Sequence, residues 1–187
     1  MALSDYQKYF SEYQQGSLNA VALLNKPIRP NRDIRITEEK QKDINNVVHK
    51  SAKNQHGSII FFVSVDSDKA NQLNTIVYEL KRPLCFVSCK AFVSHYIGET
   101  EKNLSRLLAT AETKNWTLFF DEADALLNNK KSSTDANNEE LGFDLSYLLK
   151  RFSQHPNLVI LSIENQDTLD KLEHRMKPTI HFLPAGA

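Results

Sequence analysis

Two adjacent carboxylic acids, Asp121 and Glu122, follow directly on the apolar run Leu118-Phe119-Phe120. A run of that kind reads as a buried strand, and acids at its carboxyl edge lie where parallel-sheet folds bind ligands. There an Asp can hold a magnesium ion, often through water, and a Glu can orient or deprotonate an attacking water. The pair also has a plainer use, as a helix N-cap in a favourable dipole interaction. The segment by itself leaves both uses open. Other chemistry is thinly represented. The six histidines (49, 56, 95, 155, 174 and 181) are scattered without ligand spacing, so no metal site is assigned to them. Cys85 and Cys89, four residues apart, match no common redox or zinc pattern. No Ser-His-Asp or Cys-His grouping stands out.

The elements that must position the acids read as follows. At 187 residues, 41% hydrophobic and 25% charged, the chain has the makings of one domain with a sizeable core. Basic and acidic residues number 23 each, which removes the usual electrostatic argument for nucleic acid or an anionic membrane as partner. No apolar run approaches the roughly 20 residues of a membrane span, and the polar start does not resemble a signal peptide. A reducing, cytoplasmic setting is the expectation. From Gly57 onward short apolar runs alternate with amphipathic stretches. The runs are 58–65, 84–88, 117–121, 158–163 and 179–183, and helices are expected at 69–81, 99–115 and 140–153. Runs apolar on both faces suit a mainly parallel sheet covered by helices on each side. A further helix is expected from Thr37 to about Gln55, opened by Glu38 and Glu39. Residues 1–36 read as a separate extension. An aromatic stripe at Tyr6, Tyr9, Phe10 and Tyr13 predicts a helix ending near Gly16, followed by a linker containing Pro27 and Pro30. The domain proper is drawn as 37–187, with a polar loop at 128–140.

In order and spacing these segments resemble the AAA+ ATPases. LFFDEADALL (118–127) is similar to the Walker B strand of that superfamily, and SHYIGETEKNLSRLLATAE (94–112) to its pore-loop and helix segment. The YLLKRF helix (147–152), the LVILSI strand (158–163) and the DKLEHRMKPTIHFLP ending (170–184) continue the likeness. The resemblance covers roughly residues 58–184. It implies a P-loop NTPase-like three-layer αβα sandwich with a five-stranded parallel sheet in the order 5-1-4-3-2. It also implies roles for Asp121, as magnesium ligand when nucleotide binds, and for Glu122, as the residue that activates water.

Against that pattern the phosphate loop is degenerate. In its place stands Val63-Ser64-Val65-Asp66-Ser67-Asp68-Lys69-Ala70. Lys69 falls on the family's lysine and Ser67 lies within the loop, so both are vestigial nucleotide-binding positions. Asp66 and Asp68 occupy glycine positions, and Ala70 replaces the Ser/Thr that binds magnesium. Non-glycine residues resist the left-handed conformations that turn successive amides inward. A carboxylate ~6 Å from a phosphate charge, at an effective dielectric of ~20, repels it by roughly 3 kcal/mol, about a hundredfold in affinity. Asp66, Ser67 or Asp68 can equally cap the helix beginning near Lys69.

The remaining carried-over positions are mixed. The polar sensor falls on Glu164, or on Asn165 if the alignment slips by one residue; a loop Asn is otherwise a turn residue. Arg175 falls on one of the paired arginines that reach a neighbouring subunit's nucleotide, and His174 replaces the other. Tyr96-Ile97-Gly98 resembles the pore loop that grips polypeptide in AAA+ rings. The helical lid that follows this core in the superfamily is not seen before Ala187. The expected function is therefore a degenerate, non-hydrolysing binding or assembly module needing no cofactor, with a protein partner or AAA+ ring subunits. The alternatives are a working ATPase using ATP and magnesium, and a partner subunit supplying Arg175 to an active relative.

Overall fold

A computed structural model of the chain describes residues 20–25, 29–30, 37–52, 59–63, 69–95, 99–127, 145–175 and 180–182. The elements in chain order are β1 (Val21–Leu24), α1 (Glu38–Ala52), β2 (Ile59–Val63), α2 (Lys69–Leu80), β3 (Leu84–Ser88), α3 (Cys89–His95) and α4 (Thr100–Lys114). They continue with β4 (Thr117–Asp121), α5 (Asp124–Leu127), α6 (Leu145–Gln154), β5 (Val159–Ile163), α7 (Gln166–Arg175) and β6 (Ile180–Phe182). The strands form one sheet in the order β1-β3-β4-β5-β2-β6. All neighbouring pairs are parallel except β1 and β3, which are antiparallel.

This α/β sheet keeps five parallel strands and adds to them an antiparallel edge strand that the sequence reading did not foresee within 1–36. A sixth strand comes from residues 21–24, pairing Val21 with Val87 and Leu24 with Leu84. The Ser88 amide donates to the Ala20 carbonyl at 2.8 Å, extending the ladder by one rung. The physical reason is the free edge of β3, whose backbone groups need partners. The small residues Ala20 and Ala22 sit buried there, 1% and 8% exposed. A four-residue apolar run beside prolines is too short for periodicity to reveal as a strand. The helix expected at 3–15, the Gly16 stop, Pro27 and the 128–140 loop lie outside the described residues.

Strand residues alternate between two cores, one on each face of the sheet. Leu84, Phe86, Phe119, Leu158 and Ile160 pack with Ile44 and Val47 of α1 and with Leu73, Ile76 and Val77 of α2. On the opposite face Cys85, Val87, Leu118, Phe120, Val159 and Leu161 meet residues of α3 to α7, among them Phe92, Leu104, Leu108, Phe152 and Leu169. Aromatic pairs tie strands on one face and strand to helix on the other: Phe86 to Phe119 at 5.4 Å between centroids, and Phe120 to Phe152 at 5.0 Å. Such tilted pairs contribute about 0.5–1.5 kcal/mol beyond area burial. Strand β4 is buried at every position, so its end is held rigidly from both sides.

Helix α4 shows how the sequence aims the chain into β4. Leu104, Leu108 and Ala111 form its buried stripe, and Asn115 ends it in the left-handed conformation at φ 55°. The Trp116 amide then donates to the Ala111 carbonyl at 2.9 Å. Two buried polar residues complete this junction. His155 accepts from the Asn157 amide at Nδ1 (3.2 Å), so its Nε2–H donates to the Leu108 carbonyl (3.1 Å). The Asn157 side-chain amide donates to the Ala111 carbonyl at 2.9 Å. The Ala111 carbonyl, in the last turn of the helix, thereby gains a side-chain partner, and Leu108 one turn earlier gains a second. Among the described residues no helix is long and apolar enough to cross a membrane.

Candidate functional site at the carboxyl edge of the sheet

The carboxyl ends of β3, β4 and β5 lie side by side, since Ser88 pairs with Asp121 and Phe120 with Leu161. Each strand contributes residues just past its end to an open cleft of about 400 Å³. Lys90 comes from α3, Glu122, Asp124 and Ala125 from the turn after β4, and Glu164 and Asn165 from the turn after β5. Three carboxylates against one ammonium make the cleft net negative. Such a lining favours cations and opposes a bare polyphosphate.

Asp121 is the last residue of β4 and is only 4% exposed. Glu122 follows in the left-handed region, at φ 51°. That conformation is uncommon for a residue other than Gly, Asn or Asp and costs on the order of 1–3 kcal/mol. Its carbonyl nevertheless accepts from the Ala125 amide at 3.0 Å, and the Ala123 amide donates to the Ser162 carbonyl at 2.9 Å. The turn is therefore sewn to β5. Beneath the acids lies Cys89, fully buried after β3. Burial pushes its thiol well above the ordinary range, reinforced by the carboxylates of Asp121, Glu122 and Asp124. Cys85, buried four residues earlier within β3, is pushed up to about 12 by burial alone. Both are protonated and unreactive at neutral pH.

The residue that organises the cleft is Asp124, to which the sequence reading gave no role. One carboxylate oxygen accepts the Glu164 amide at 2.8 Å and the other accepts the Asn165 amide at 3.2 Å. Its signal in the sequence is slight, a third acid three residues past the strand end. Lys90 carried no sequence signal at all. Asn165 acts as the N-cap of α7: its side-chain oxygen accepts the Asp167 amide at 2.8 Å and the Thr168 amide at 3.4 Å. Of the two readings left open for this position, the turn residue describes its contacts. Glu164 is exposed at the cleft rim.

The other expected site residues are spread out. Lys69 opens α2 and Ala70 follows it; Asp66, Ser67 and Asp68 lie outside the described residues, as do Tyr96, Ile97 and Gly98. Arg175 ends α7, exposed beside His174. Its guanidinium donates to the Ser146 hydroxyl of α6 at 3.5 Å, a long contact. The helical position after Lys69 is Ala70, which offers no oxygen to a metal.

Among solved structures the chain is similar to the crystal structure of the FIGL-1 AAA domain in complex with ADP, at a TM-score of 0.58 and 15% identity. The match covers 94% of this chain but 59% of that one, and at such identity it shows the fold alone. No curated protein matches the chain. The profile described as the ATPase family associated with various cellular activities (AAA) matches residues 69–182, more than half of the sequence. That span takes in α2, the acidic strand end, the capped α7 and Arg175, and the chain belongs to the AAA family.

Proposed function

We propose that this domain is a AAA module that has lost its grip on nucleotide and serves as a non-hydrolysing binding or assembly component. The observation that carries the reading is the connection between β2 and α2. Val63 ends the strand and Lys69 opens the helix, so only Ser64-Val65-Asp66-Ser67-Asp68 fills the place of a phosphate loop. No glycine is among them, two are acids, and Ala70 follows the lysine. Each departure weakens phosphate binding by its own mechanism: a stiffer backbone, like-charge repulsion and a missing metal ligand. Asn165 points the same way, because its side-chain oxygen already caps α7.

A thermal-shift screen with ATP, ADP and GTP in magnesium tests this. A ligand present at a hundred times its dissociation constant stabilises by about 2.7 kcal/mol, which is easily seen in the melting temperature. The expected result is no shift with any of them; a shift that Lys69→Ala removes would favour the working ATPase.

A second reading has its own observation. Arg175 stands exposed at the end of α7, where an arginine's planar fork can reach phosphate oxygens on a neighbouring subunit. In that variant the chain supplies Arg175 to an active AAA relative in a mixed ring. Adding the chain to such a relative should raise its turnover, and Arg175→Ala should abolish the rise. Flat turnover would remove this variant and leave the first reading in place. The setting proposed for either is cytoplasmic, with protein rather than nucleic acid or membrane as the partner.

A further inference from the structure

The turn after β4 and the loop after β5 are joined by one side chain. Asp124 receives two amides, Glu164 at 2.8 Å and Asn165 at 3.2 Å. Asn165 in turn caps α7 through the Asp167 and Thr168 amides. At its far end α7 presents Arg175, which reaches Ser146 at the start of α6. A continuous series of hydrogen bonds thus runs from the acidic strand end to the exposed arginine. We infer that Asp124 is a positioning residue: its carboxylate sets the loop after β5, and through the Asn165 cap it sets the helix that carries Arg175.

The chemistry favours this role. Ionised carboxylates form the stronger class of hydrogen bond to backbone amides, and the two oxygens of one rigid group fix the relative position of two consecutive peptide units. Asp124 follows Glu122 by two residues in the same turn, so anything that shifts the strained turn shifts the carboxylate. Lys90, Glu122 and Glu164 share the cleft with it, and Asp121 ends the adjoining strand. The consequence for Arg175 as a group acting on a neighbour rests on the second reading above; the positioning itself does not.

Amide hydrogen exchange on the full chain, read residue by residue by NMR, tests the inference. In Asp124→Ala the Glu164 and Asn165 amides should exchange about ten- to a hundredfold faster, the range expected for losing a hydrogen bond to a charged group. The Asp167 and Thr168 amides should follow. Those of Phe86 and Phe119 in the sheet should accelerate only as far as the overall stability loss, measured by denaturant, requires. Asp124→Asn keeps one carbonyl oxygen and should restore protection to one of the two amides. Should the alanine variant fail to fold, the wild-type chain still decides the matter. A through-hydrogen-bond coupling between the Glu164 amide nitrogen and the Asp124 carboxylate carbon is expected, and its absence overturns the inference. Unchanged exchange at 164 and 165, or equal acceleration everywhere, also overturns it. None of these readouts involves nucleotide, so failure here leaves the proposed function untouched, and the converse holds.

Discussion

At the end of β4, Asp121 is buried and Glu122 is held at φ 51° facing a cleft. Next to it, at the end of β5, Glu164 and Asn165 are exposed, and their polar groups serve the chain itself: two amides bind Asp124 and the Asn165 oxygen caps a helix. One strand end thus keeps an acidic pair whose second member, Glu122, is held in a left-handed backbone at the cleft, while the polar groups of its neighbour brace the turn and cap a helix. Strain that persists at a turn suggests a use beyond folding, whereas a satisfied cap explains itself. The difference teaches that the same sheet edge can retain the look of a catalytic site at one strand and be structural at the next.

Four changes sharpen or break that comparison. The largest effect should come from the strand that supports the acids. Phe120→Ala removes a ring packed at a tilt against Phe152 in the buried core and should cost about 3–5 kcal/mol. A calorimetric melting temperature lower by roughly 10 °C checks it. Asn165→Ala should cost about 1 kcal/mol by removing the cap, seen as a lower urea midpoint with unchanged slope. A neutral result would mean that Asn165 is held for another purpose. Glu122→Gly relieves the left-handed backbone and should raise stability by up to about 1 kcal/mol. A loss of stability instead would show that the glutamate side chain is itself part of the scaffold.

The last effect shows itself at alkaline pH. The folded Cys85 thiol is raised from 9.0 to about 12. Between those values the folded chain keeps a proton that the unfolded chain has released, so stability falls as pH rises through this window. Cys85→Ala should flatten the decline relative to wild type when melting temperatures are compared at pH 8 and pH 11. Parallel declines in the two proteins would show that the thiol contributes nothing there.

Much of this was legible in the residues. Long runs with apolar side chains on both faces, such as LCFVS and TLFFD, fixed β3 and β4 because no exposed element can be made of them. The acidic strand end was visible for the same reason. Three features were not. Strand β1 is four residues long and is chosen by the edge it completes, a tertiary cause. Helix α7 has only Leu169 and Leu172 to bury, too few to mark a stripe in QDTLDKLEHR. Asp124 matters through partners forty residues away, which spacing along one segment does not disclose.

The central claim is that acids and an alanine at the β2–α2 connection have removed nucleotide binding from an otherwise recognisable AAA core. Isothermal calorimetry of magnesium-ATP with the full chain, beside the Asp66→Gly, Asp68→Gly, Ala70→Thr variant, tests it most directly. The account predicts no binding heat for the natural chain and measurable affinity for the variant. Saturable binding by the natural chain that Lys69→Ala eliminates would contradict it.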